Sequence, residues 1–371
     1  MNYTDKPKLL YLTIRADHGG GSLHVDQLIQ SFNDSYEIFC AAPLETPYGI
    51  NWYNLLGKDK FFELQHRNFS FVRLLTLKSF IRKNNIRIIH SHGKGGGIYS
   101  RLLKLLHPSL IVIHTFHGFH PSNKNISNKF YIAFEKFFGK KTDYFINVSN
   151  GERDLCKKYE IVKENNSHVV YNGVKQSQVL KINKQEIRNK LCLDQKKFIV
   201  LTINRFDPHK NVTQILDIAN QFKNQKEISF VIVGDGEERS ILTDKAYEQG
   251  LDNIIFTGFK NNPLEYIAAS DIYISASKGE ALGYTLIEAL MIGIPVIASN
   301  VMGHNEIIRH GENGFLFELN DIRQAKELIH FIYNNPDKTE DLISNGRNKY
   351  ETFFRFEHMI TKISEIYKKL I

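Results

Sequence analysis

The feature that most constrains the fold of this chain is a regular alternation of short apolar runs and longer amphipathic segments. Apolar runs bounded by turn residues are typical of buried strands, and amphipathic segments of helical period are typical of helices that cover a sheet. Their alternation predicts α/β units built around a parallel sheet. Because a polar stretch at 175–195 divides the pattern into two series, the sequence predicts two such units.

The second series repeats the layout of the first, which predicts two successive Rossmann-like domains. The 371 residues support this division, since one hydrophobic core rarely grows beyond about 250–300 residues. We expect domains at 1–178 and 179–354, and a closing amphipathic helix at 355–371 that packs back on the first domain. Strands are predicted at 9–14, 36–41, 86–91, 110–115, 144–148, 198–203, 229–234, 254–256, 272–275 and 295–298. Helices are predicted at 22–32, 72–83, 97–106, 211–222, 237–249, 263–270 and 284–292.

Composition and cysteine usage are typical of a globular protein from a reducing compartment. The 42% hydrophobic and 24% charged residues exclude a disordered or fibrous chain. The three cysteines have neither zinc-finger nor redox spacing. No apolar stretch reaches the ~20 residues that a membrane-spanning helix requires, and the N-terminus lacks the pattern of a signal peptide. We therefore expect a cytoplasmic protein.

The excess positive charge lies in the first half of the chain. Residues 1–174 contain 23 Lys and Arg against 14 Asp and Glu, whereas the remainder contains 25 against 26. The sequence has no helix-turn-helix, RNP or zinc-finger pattern, which argues against nucleic acid as the partner. Basic residues alternate with aromatic ones over 78–87 and 124–141, a pattern typical of a helix on an anionic membrane surface. The alternative is an ordinary helix with its aromatic residues in the core and its lysines in water.

A glycine-rich loop, Asp17-His-Gly-Gly-Gly-Ser22, follows the first predicted strand. Glycines at such a turn let the backbone approach a ligand, and the N-terminus of the next helix attracts anions. The dinucleotide fingerprint G-x-G-x-x-G is broken at His24, which argues against a dehydrogenase. A tight turn without a ligand is the alternative.

Histidines cluster after two predicted strands, within 90–92 and 114–120. Their spacing suits neither a strand face nor a metal-binding helix, and no acidic or cysteine partner lies nearby in sequence, so we predict no metal site. Ligands of open α/β sheets bind at loops that follow the carboxyl ends of strands. His117, followed by Gly118, is therefore the predicted ligand contact, and we expect His90 and His114 in the core or at strand ends.

Two loops of the second half carry charged residues that suit a nucleotide. Arg205 and Lys210 flank a loop that opens a helix, and an Arg fork, a Lys charge and a helix N-terminus together can clamp a diphosphate. Glu280 lies in a second loop, and Glu288 lies on an apolar helix, where a carboxylate needs donors such as sugar hydroxyls. A capping Glu and a surface Glu are the alternative. The sequence lacks the Asp-x-Asp motif, which binds a nucleotide sugar through a metal ion in proteins that have it.

Together these residues resemble glycosyltransferase family 4, whose members are retaining, metal-independent enzymes of the GT-B fold. The resemblance implies two Rossmann-like domains facing each other across a cleft, the first for the acceptor and the second for the nucleotide sugar. It covers nearly the whole chain in the same order. It rests on Glu280 with Glu288 (the E-x7-E motif), Arg205 with Lys210, Gly19–Gly21, His117-Gly118, Tyr171-Asn-Gly-Val174, Val233-Gly-Asp-Gly236, Gly258-Phe259, and Gly303 to Glu306 before Glu312-Asn-Gly-Phe315.

The resemblance also implies the role of each candidate residue. Arg205 and Lys210 would hold the donor diphosphate. Glu280 would contact hydroxyls of the donor sugar, Glu288 the ribose of the nucleoside, and His117 would lie near the sugar. The further donor contacts implied are Gly20 and Gly21 near the diphosphate, and the backbone amides of Leu282, Gly283, Tyr284 and Thr285.

We therefore predict a glycosyltransferase of surface-glycan assembly, with a UDP-sugar as the favoured donor substrate and no cofactor. The basic first domain favours a saccharide acceptor carried on a polyprenyl diphosphate, with the protein peripheral on the inner face of the cytoplasmic membrane. One alternative is a GT-B epimerase that acts on a UDP-sugar. Another is a non-catalytic, sugar-binding partner subunit, against which the complete set of Arg205, Lys210 and Glu280 argues.

Overall fold

The computed structural model describes residues 6–119, 121 and 126–370, and the side chains of 126–128 are left out of the description. The chain divides into two compact units. The first unit comprises Met1–Asn172 with Met359–Ile371, and the second comprises Gly173–His358.

The first unit is built on a parallel sheet covered by helices. Its strands are β1 (Lys8–Leu12), β2 (Glu37–Ala42), β3 (Phe61–Glu63), β4 (Ile88–His92), β5 (Ile111–Thr115), β6 (Tyr144–Asn147) and β7 (Ser167–Val169). The sheet order is β3-β2-β1-β4-β5-β6-β7. Its helices are α1 (Gly20–Phe32), α2 (Tyr48–Leu56), α3 (Phe71–Lys83), α4 (Gly93–Leu106), α5 (Ile126–Phe138) and α6 (Asn150–Lys158).

The second unit repeats this architecture. Its strands are β8 (Phe198–Ile203), β9 (Ile228–Val233), β10 (Ile254–Gly258), β11 (Ile272–Ser275), β12 (Val296–Ser299) and β13 (Phe315–Phe317), in the parallel order β10-β9-β8-β11-β12-β13. Its helices are α7 (Lys184–Lys190), α8 (Val212–Asn220), α9 (Arg239–Glu248), α10 (Pro263–Ala269), α11 (Tyr284–Ile292), α12 (His304–Ile307), α13 (Ile322–Asn334) and α14 (Pro336–Lys349). The last helix is α15 (Phe356–Leu370).

The predicted fold class, two Rossmann-like α/β domains of the GT-B type, is confirmed. Each strand that the apolar runs predicted is present, with its ends shifted by at most two residues. The pattern missed β3, β7 and β13, which lie at sheet edges and have only three residues each. Such short strands cannot show the alternation on which the prediction depends.

The candidate residues of each unit lie at the same edge of its sheet, because the carboxyl ends of parallel strands all lie at that edge. In the first unit, the glycine-rich loop follows β1 and His117 follows β5. In the second unit, the loop with Arg205 and Lys210 follows β8, and the loop with Glu280 follows β11. Since β8 and β11 are neighbours in the sheet, their two loops lie side by side.

The C-terminal part of α15 packs within the first unit. The buried Tyr367 hydroxyl lies 2.6 Å from Nδ1 of His90, and it donates to the Tyr11 hydroxyl at 3.3 Å. These contacts place the end of the chain against the middle of the first sheet. Among the residues that the structure describes, none of the helices combines the length and apolar character needed to cross a membrane.

Candidate active site

An ion pair between Lys210 and Glu280 lies at the centre of the second unit's candidate site. The Lys210 ammonium contacts Oε1 of Glu280, and the Glu280 amide donates to the Met302 carbonyl at 3.0 Å. Both side chains are largely shielded from solvent, with 27% of Lys210 and 16% of Glu280 exposed. Burial opposes ionisation of the carboxyl, but the charge of Lys210 outweighs it and the pKa of Glu280 lies below its ordinary value. Glu280 is therefore ionised at neutral pH.

Asp207 organises the loop that carries the two predicted cations. Its Oδ1 accepts hydrogen bonds from the backbone amides of His209 at 3.0 Å and Lys210 at 3.1 Å. Its Oδ2 accepts from Nε of Arg205 at 2.7 Å. Burial penalises the charged carboxyl, but the Arg205 guanidinium more than offsets this and lowers the pKa of Asp207. Arg205 is thus held on its own loop, with 48% of its side chain exposed.

The loops after β8 and β11 are fastened together. A ring nitrogen of His209 contacts the Gly279 carbonyl, and the Lys278 amide donates to the His209 carbonyl at 2.9 Å. Asn211, whose φ of 54° is left-handed, donates to the Ala276 carbonyl at 3.2 Å. These bonds fix the position of Lys210 relative to Glu280.

A glycine at 303 is required for the position of Glu280. Gly303 has φ 86°, and a Cβ there would lie 2.4 Å from the Glu280 carbonyl oxygen. Many members of the resembled family have two glycines at this point, and the chain has Met302-Gly303. Both positions contact Glu280, because the Met302 carbonyl accepts from its amide and Gly303 leaves room for its carbonyl.

The helix α11 begins directly after the Glu280 loop. Gly283 is its N-cap, Leu282 and Gly283 are buried, and Tyr284 and Thr285 form its first turn. The first-turn amides of a helix have no acceptor within the helix and lie at the positive end of its dipole. The amides predicted to contact the donor thus lie where an anion would be stabilised. Because α11 begins directly after the Glu280 loop, these amides lie close to Glu280 in the chain.

The two glutamates of the E-x7-E motif have opposite electrostatic environments. Glu288 lies in the second turn of α11, and loss of hydration raises its pKa from 4.5 to about 7. Both carboxylates act on the buried Tyr273, whose hydroxyl donates to Oγ1 of Thr285 at 2.8 Å. Its pKa rises through burial and through the charges of Glu288 and Glu280. Near neutral pH, Glu280 is charged and Glu288 is close to half protonated.

In the first unit, the structure brings the glycine-rich loop against His117. Gly20 and Gly21 open α1, and a Cβ on Gly21 would lie 3.6 Å from the His117 ring. His117 has a left-handed φ of 58°. The buried carboxylate of Glu152 fixes this backbone by accepting from the amides of Gly118 at 2.7 Å and Phe119 at 3.2 Å.

Three histidines from different elements meet beside this loop. Nδ1 of His92 lies 3.0 Å from Nε2 of His117, and the rings of His24 and His117 are 4.8 Å apart. Burial lowers the pKa of His24 to about 4 and the pKa values of His92 and His117 well below 6.5, so the three rings are neutral at pH 7. Within the described part of the chain, this is the group of ligating side chains that could hold a metal ion, since one nitrogen of each lies within 4.8 Å of the others.

The two other histidines predicted to lie in the core or at strand ends, His90 and His114, are core residues. His90 and His114 are fully buried, and His114 lies 2.9 Å from the hydroxyl of Ser91. His120, which closes the predicted 114–120 cluster, lies outside the described residues, as do positions 124 and 125 of the basic stretch.

Some organising residues were missed by the sequence analysis. Asp207 and Tyr273 each bond to a residue for which the resemblance implies a ligand contact, and Glu152 holds the backbone that follows His117. The signal for Asp207 is the turn sequence Asp-Pro-His-Lys, in which an Asp side chain typically bonds amides two and three residues on. The signal for Glu152 is the S-x-x-E capping pattern that starts at Ser149. Tyr273 carries no such signal.

Comparisons with known proteins agree with this geometry. The family model "Glycosyltransferase Family 4" matches residues 18–178, and the model "Glycosyl transferases group 1" matches residues 183–349. A curated relative, the UDP-Gal:alpha-D-GlcNAc-diphosphoundecaprenol alpha-1,3-galactosyltransferase of Escherichia coli, is 30% identical over 322 residues, or 82% of each chain.

Two solved structures share the fold. The HepE protein of Anabaena, solved in complex with UDP and glucose, superposes with a TM-score of 0.84 at 17% identity, covering 98% of this chain and 100% of that one. The sucrose-phosphate synthase of Thermosynechococcus elongatus also has a TM-score of 0.84, at 20% identity, covering 98% and 99%.

The opposite environments of Glu280 and Glu288 predict that two matched substitutions change the Tm at pH 8 in opposite directions. Because folding raises the pKa of Glu288, its ionisation destabilises the protein as the pH rises from 4.5 through about 7. Glu288→Gln should therefore raise the Tm at pH 8 by about 3 °C or more and leave it nearly unchanged at pH 5.

Glu280→Gln serves as the matched comparison. Folding lowers the pKa of Glu280, so its charge stabilises the protein above pH 4.5 and that contribution is lost as the pH falls. The variant should lower the Tm at pH 8. Thermal unfolding of the three proteins at pH 5 and pH 8 checks both signs, and a loss of stability in Glu288→Gln at pH 8 contradicts the assignment.

Proposed function

This chain belongs to the group 1 glycosyltransferases of family 4, and we propose that it transfers a sugar from a UDP-sugar to a saccharide carried on a polyprenyl diphosphate. The observation that carries the proposal is the ionised Lys210–Glu280 pair beside the N-terminus of α11. The activity of the Escherichia coli relative and the UDP in the Anabaena structure support a UDP-linked donor, and the acceptor of the former supports a lipid-linked one.

The ion pair suits a donor because the substrate can replace both of its partners. The diphosphate would take the place of Glu280 beside Lys210, and the sugar hydroxyls would take the place of Lys210 beside Glu280. Lys210 would turn to the diphosphate, where the Arg205 guanidinium adds a second positive charge. Glu280 would then accept hydrogen bonds from hydroxyls of the sugar. Since neither charge is left unpaired in the free or the bound state, donor binding avoids the cost of a partly buried lone charge.

The partly protonated Glu288 suits the ribose. Loss of hydration disfavours the charge of its carboxyl, and two ribose hydroxyls would donate hydrogen bonds to it. The amides of Leu282, Gly283, Tyr284 and Thr285 would face the sugar and the phosphate at the positive end of α11. In the first unit, Gly20 and Gly21 would lie near the diphosphate and His117 near the sugar.

We propose a retaining reaction without a metal ion. Negative charge develops on the diphosphate as it leaves, and Lys210, Arg205 and the first turn of α11 would stabilise it there. The acceptor hydroxyl would attack the same face of the sugar and give its proton to the departing phosphate oxygen. Such a mechanism requires no dedicated base.

We also propose that the basic first unit holds the enzyme on the cytoplasmic, anionic face of the membrane. On α3, the side chains of Phe71 and Val72 are 63% and 70% exposed, and Arg82 and Lys83 are exposed on the same helix. An apolar surface beside basic residues supplies the two signals that interfacial binding requires. The peripheral location would bring the enzyme to its lipid-linked acceptor.

The function is tested by incubating UDP-sugars with the protein, with and without a saccharide on polyprenyl diphosphate. A transferase produces an elongated lipid-linked saccharide and UDP only when the acceptor is present, and NMR of the product shows whether the anomeric configuration is retained. Conversion of the UDP-sugar to an epimer without acceptor would establish the epimerase instead. Absence of both reactions would favour a sugar-binding subunit.

The ion pair predicts the effect of two substitutions on turnover. Lys210→Ala should lower kcat by about 10²–10³-fold, since it removes a preorganised charge from the leaving diphosphate. Glu280→Gln should raise the KM for the UDP-sugar and lower kcat. The matched control is Lys278→Ala, which removes an exposed cation from the Glu280 loop and should leave turnover near wild type. Wild-type kinetics in the first two variants would exclude this site.

Activity should survive a strong chelator, because Lys210 and Arg205 provide the charge that a divalent ion supplies in metal-dependent transferases. Steady-state rates before and after EDTA treatment check this expectation. Loss of turnover that Mg²⁺ or Mn²⁺ restores would show that the transfer depends on a metal.

Membrane binding should depend on the charge of α3. Replacing Lys78, Arg82 and Lys83 by Gln should weaken co-sedimentation with anionic vesicles, and wild-type binding should decrease with salt. Replacing three exposed lysines of the second unit, Lys196, Lys226 and Lys338, removes the same charge and should have little effect. Equal losses in both triple variants would show that net charge, rather than this helix, determines binding.

A further inference from the structure

We infer that the groove between α4 and α5 binds the isoprenoid chain of the acceptor, with Lys94 at its diphosphate end. The inference rests on the proposed function, because it assigns a place to the lipid that the proposed acceptor carries. The groove lies entirely within the first unit and has a volume of about 550 Å³. It is lined chiefly by Ile98 of α4 and by Phe130, Phe134, Phe137 and Phe138 of α5, with Lys94 among them.

Helix α5 forms one wall of the groove, and a buried ion pair on its inner face holds it in place. Glu135, on the inner face of α5, forms a fully buried ion pair with Arg101 of α4, with nitrogen–oxygen distances of 3.0 and 2.9 Å. Arg101 also donates from Nε to the hydroxyl of Thr142 at 3.1 Å. Breaking a buried pair leaves an uncompensated charge, so this pair holds the two helices at a set separation. The groove is therefore preformed.

The outer face of α5 is apolar and exposed. Phe130 and Phe137 have 72% and 68% of their side chains exposed, and the rings of Phe134 and Phe138 stack with centroids 4.5 Å apart. A contiguous apolar surface of this kind marks a place where a lipid or a partner binds. From Phe130 to Phe138 the surface runs for about 12 Å along α5, which suits a segment of an extended chain.

The positive charge of Lys94 determines which end of the groove would bind the diphosphate. Lys94 lies at the start of α4, and its ammonium is 4.0 Å from the centre of the Tyr131 ring. The helix follows β4 directly, and the last residue of β4, His92, contacts His117 at 3.0 Å. A diphosphate at Lys94 would thus lie on the His117 side of the groove, with the saccharide beyond it and the chain along α5.

These features favour a single amphipathic lipid over other occupants. A protein partner would leave the Lys94 charge without a specific role. The apolar rings border a space of about 550 Å³ beside one cation, which accommodates a segment of an apolar chain next to an anionic head. A long apolar chain with a diphosphate head matches both the shape and the charge.

The test compares two acceptors that carry the same saccharide, one on a long polyprenyl diphosphate and one on a short, water-soluble alkyl diphosphate. The variant is Phe130→Asn with Phe137→Asn, both of which change exposed rings and leave the Arg101–Glu135 pair intact. We expect its KM for the long-chain acceptor to rise by about tenfold or more, because apolar contact with the chain is lost. Its kcat and its KM for the short acceptor should be unchanged.

Phe71→Asn is the matched control, because it changes a ring of α3 that is 63% exposed but lies outside the groove. It should reduce vesicle binding without affecting the KM of either acceptor in detergent solution. The inference is overturned if the double variant leaves the KM for the long-chain acceptor unchanged, or if it raises both KM values equally. If the wild type transfers sugar to neither acceptor, it is the proposed function that fails, and binding of the long-chain lipid alone still tests the groove.

Discussion

The ion pair between Lys210 and Glu280 is the interaction on which the candidate site depends. It joins two loops that are 70 residues apart in the chain and gives each side chain a charged state in a shielded place. Removing either partner would leave a partly buried charge alone, which costs far more than the net stability that such a pair provides. The same property makes the pair suitable for a substrate, because a diphosphate and a sugar can replace the two partners at once.

The rest of the second unit keeps this pair in place. Asp207 shapes the loop of Lys210 and holds Arg205, while the contact between His209 and Gly279 fastens the two loops. Gly303 leaves room for the backbone of Glu280. The neighbouring α11 carries Glu288, whose pKa is raised by burial. A carboxyl whose pKa is strongly shifted by burial is typical of a functional site.

Sequence patterns predicted the central strands and the motif residues well, but not how those residues pair. Continuous apolar runs located β8, β11 and α11 without error, whereas the three-residue edge strands gave no pattern. Polar α6 was missed because its stability comes from the cap at Ser149 and the buried Glu152, not from an apolar stripe. Lys210 and Glu280 were predicted separately, because the sequence spacing of two residues in different loops does not show whether their side chains meet. His24, His92 and His117 come from three elements, and only the order of the sheet brings them together.

On this model of donor binding, the Lys210–Glu280 pair opens when the diphosphate binds, and calorimetric titration of UDP measures the consequence. The proteins to compare are wild type, Lys210→Ala, Glu280→Gln and the double variant. If the pair opens, Glu280→Gln frees the ammonium and binds UDP at least as tightly as wild type, whereas Lys210→Ala binds it about tenfold or more weakly. The double variant should then bind like Lys210→Ala. Equal weakening of UDP binding by both single variants would contradict the account, because Glu280 would then contribute directly to the diphosphate site.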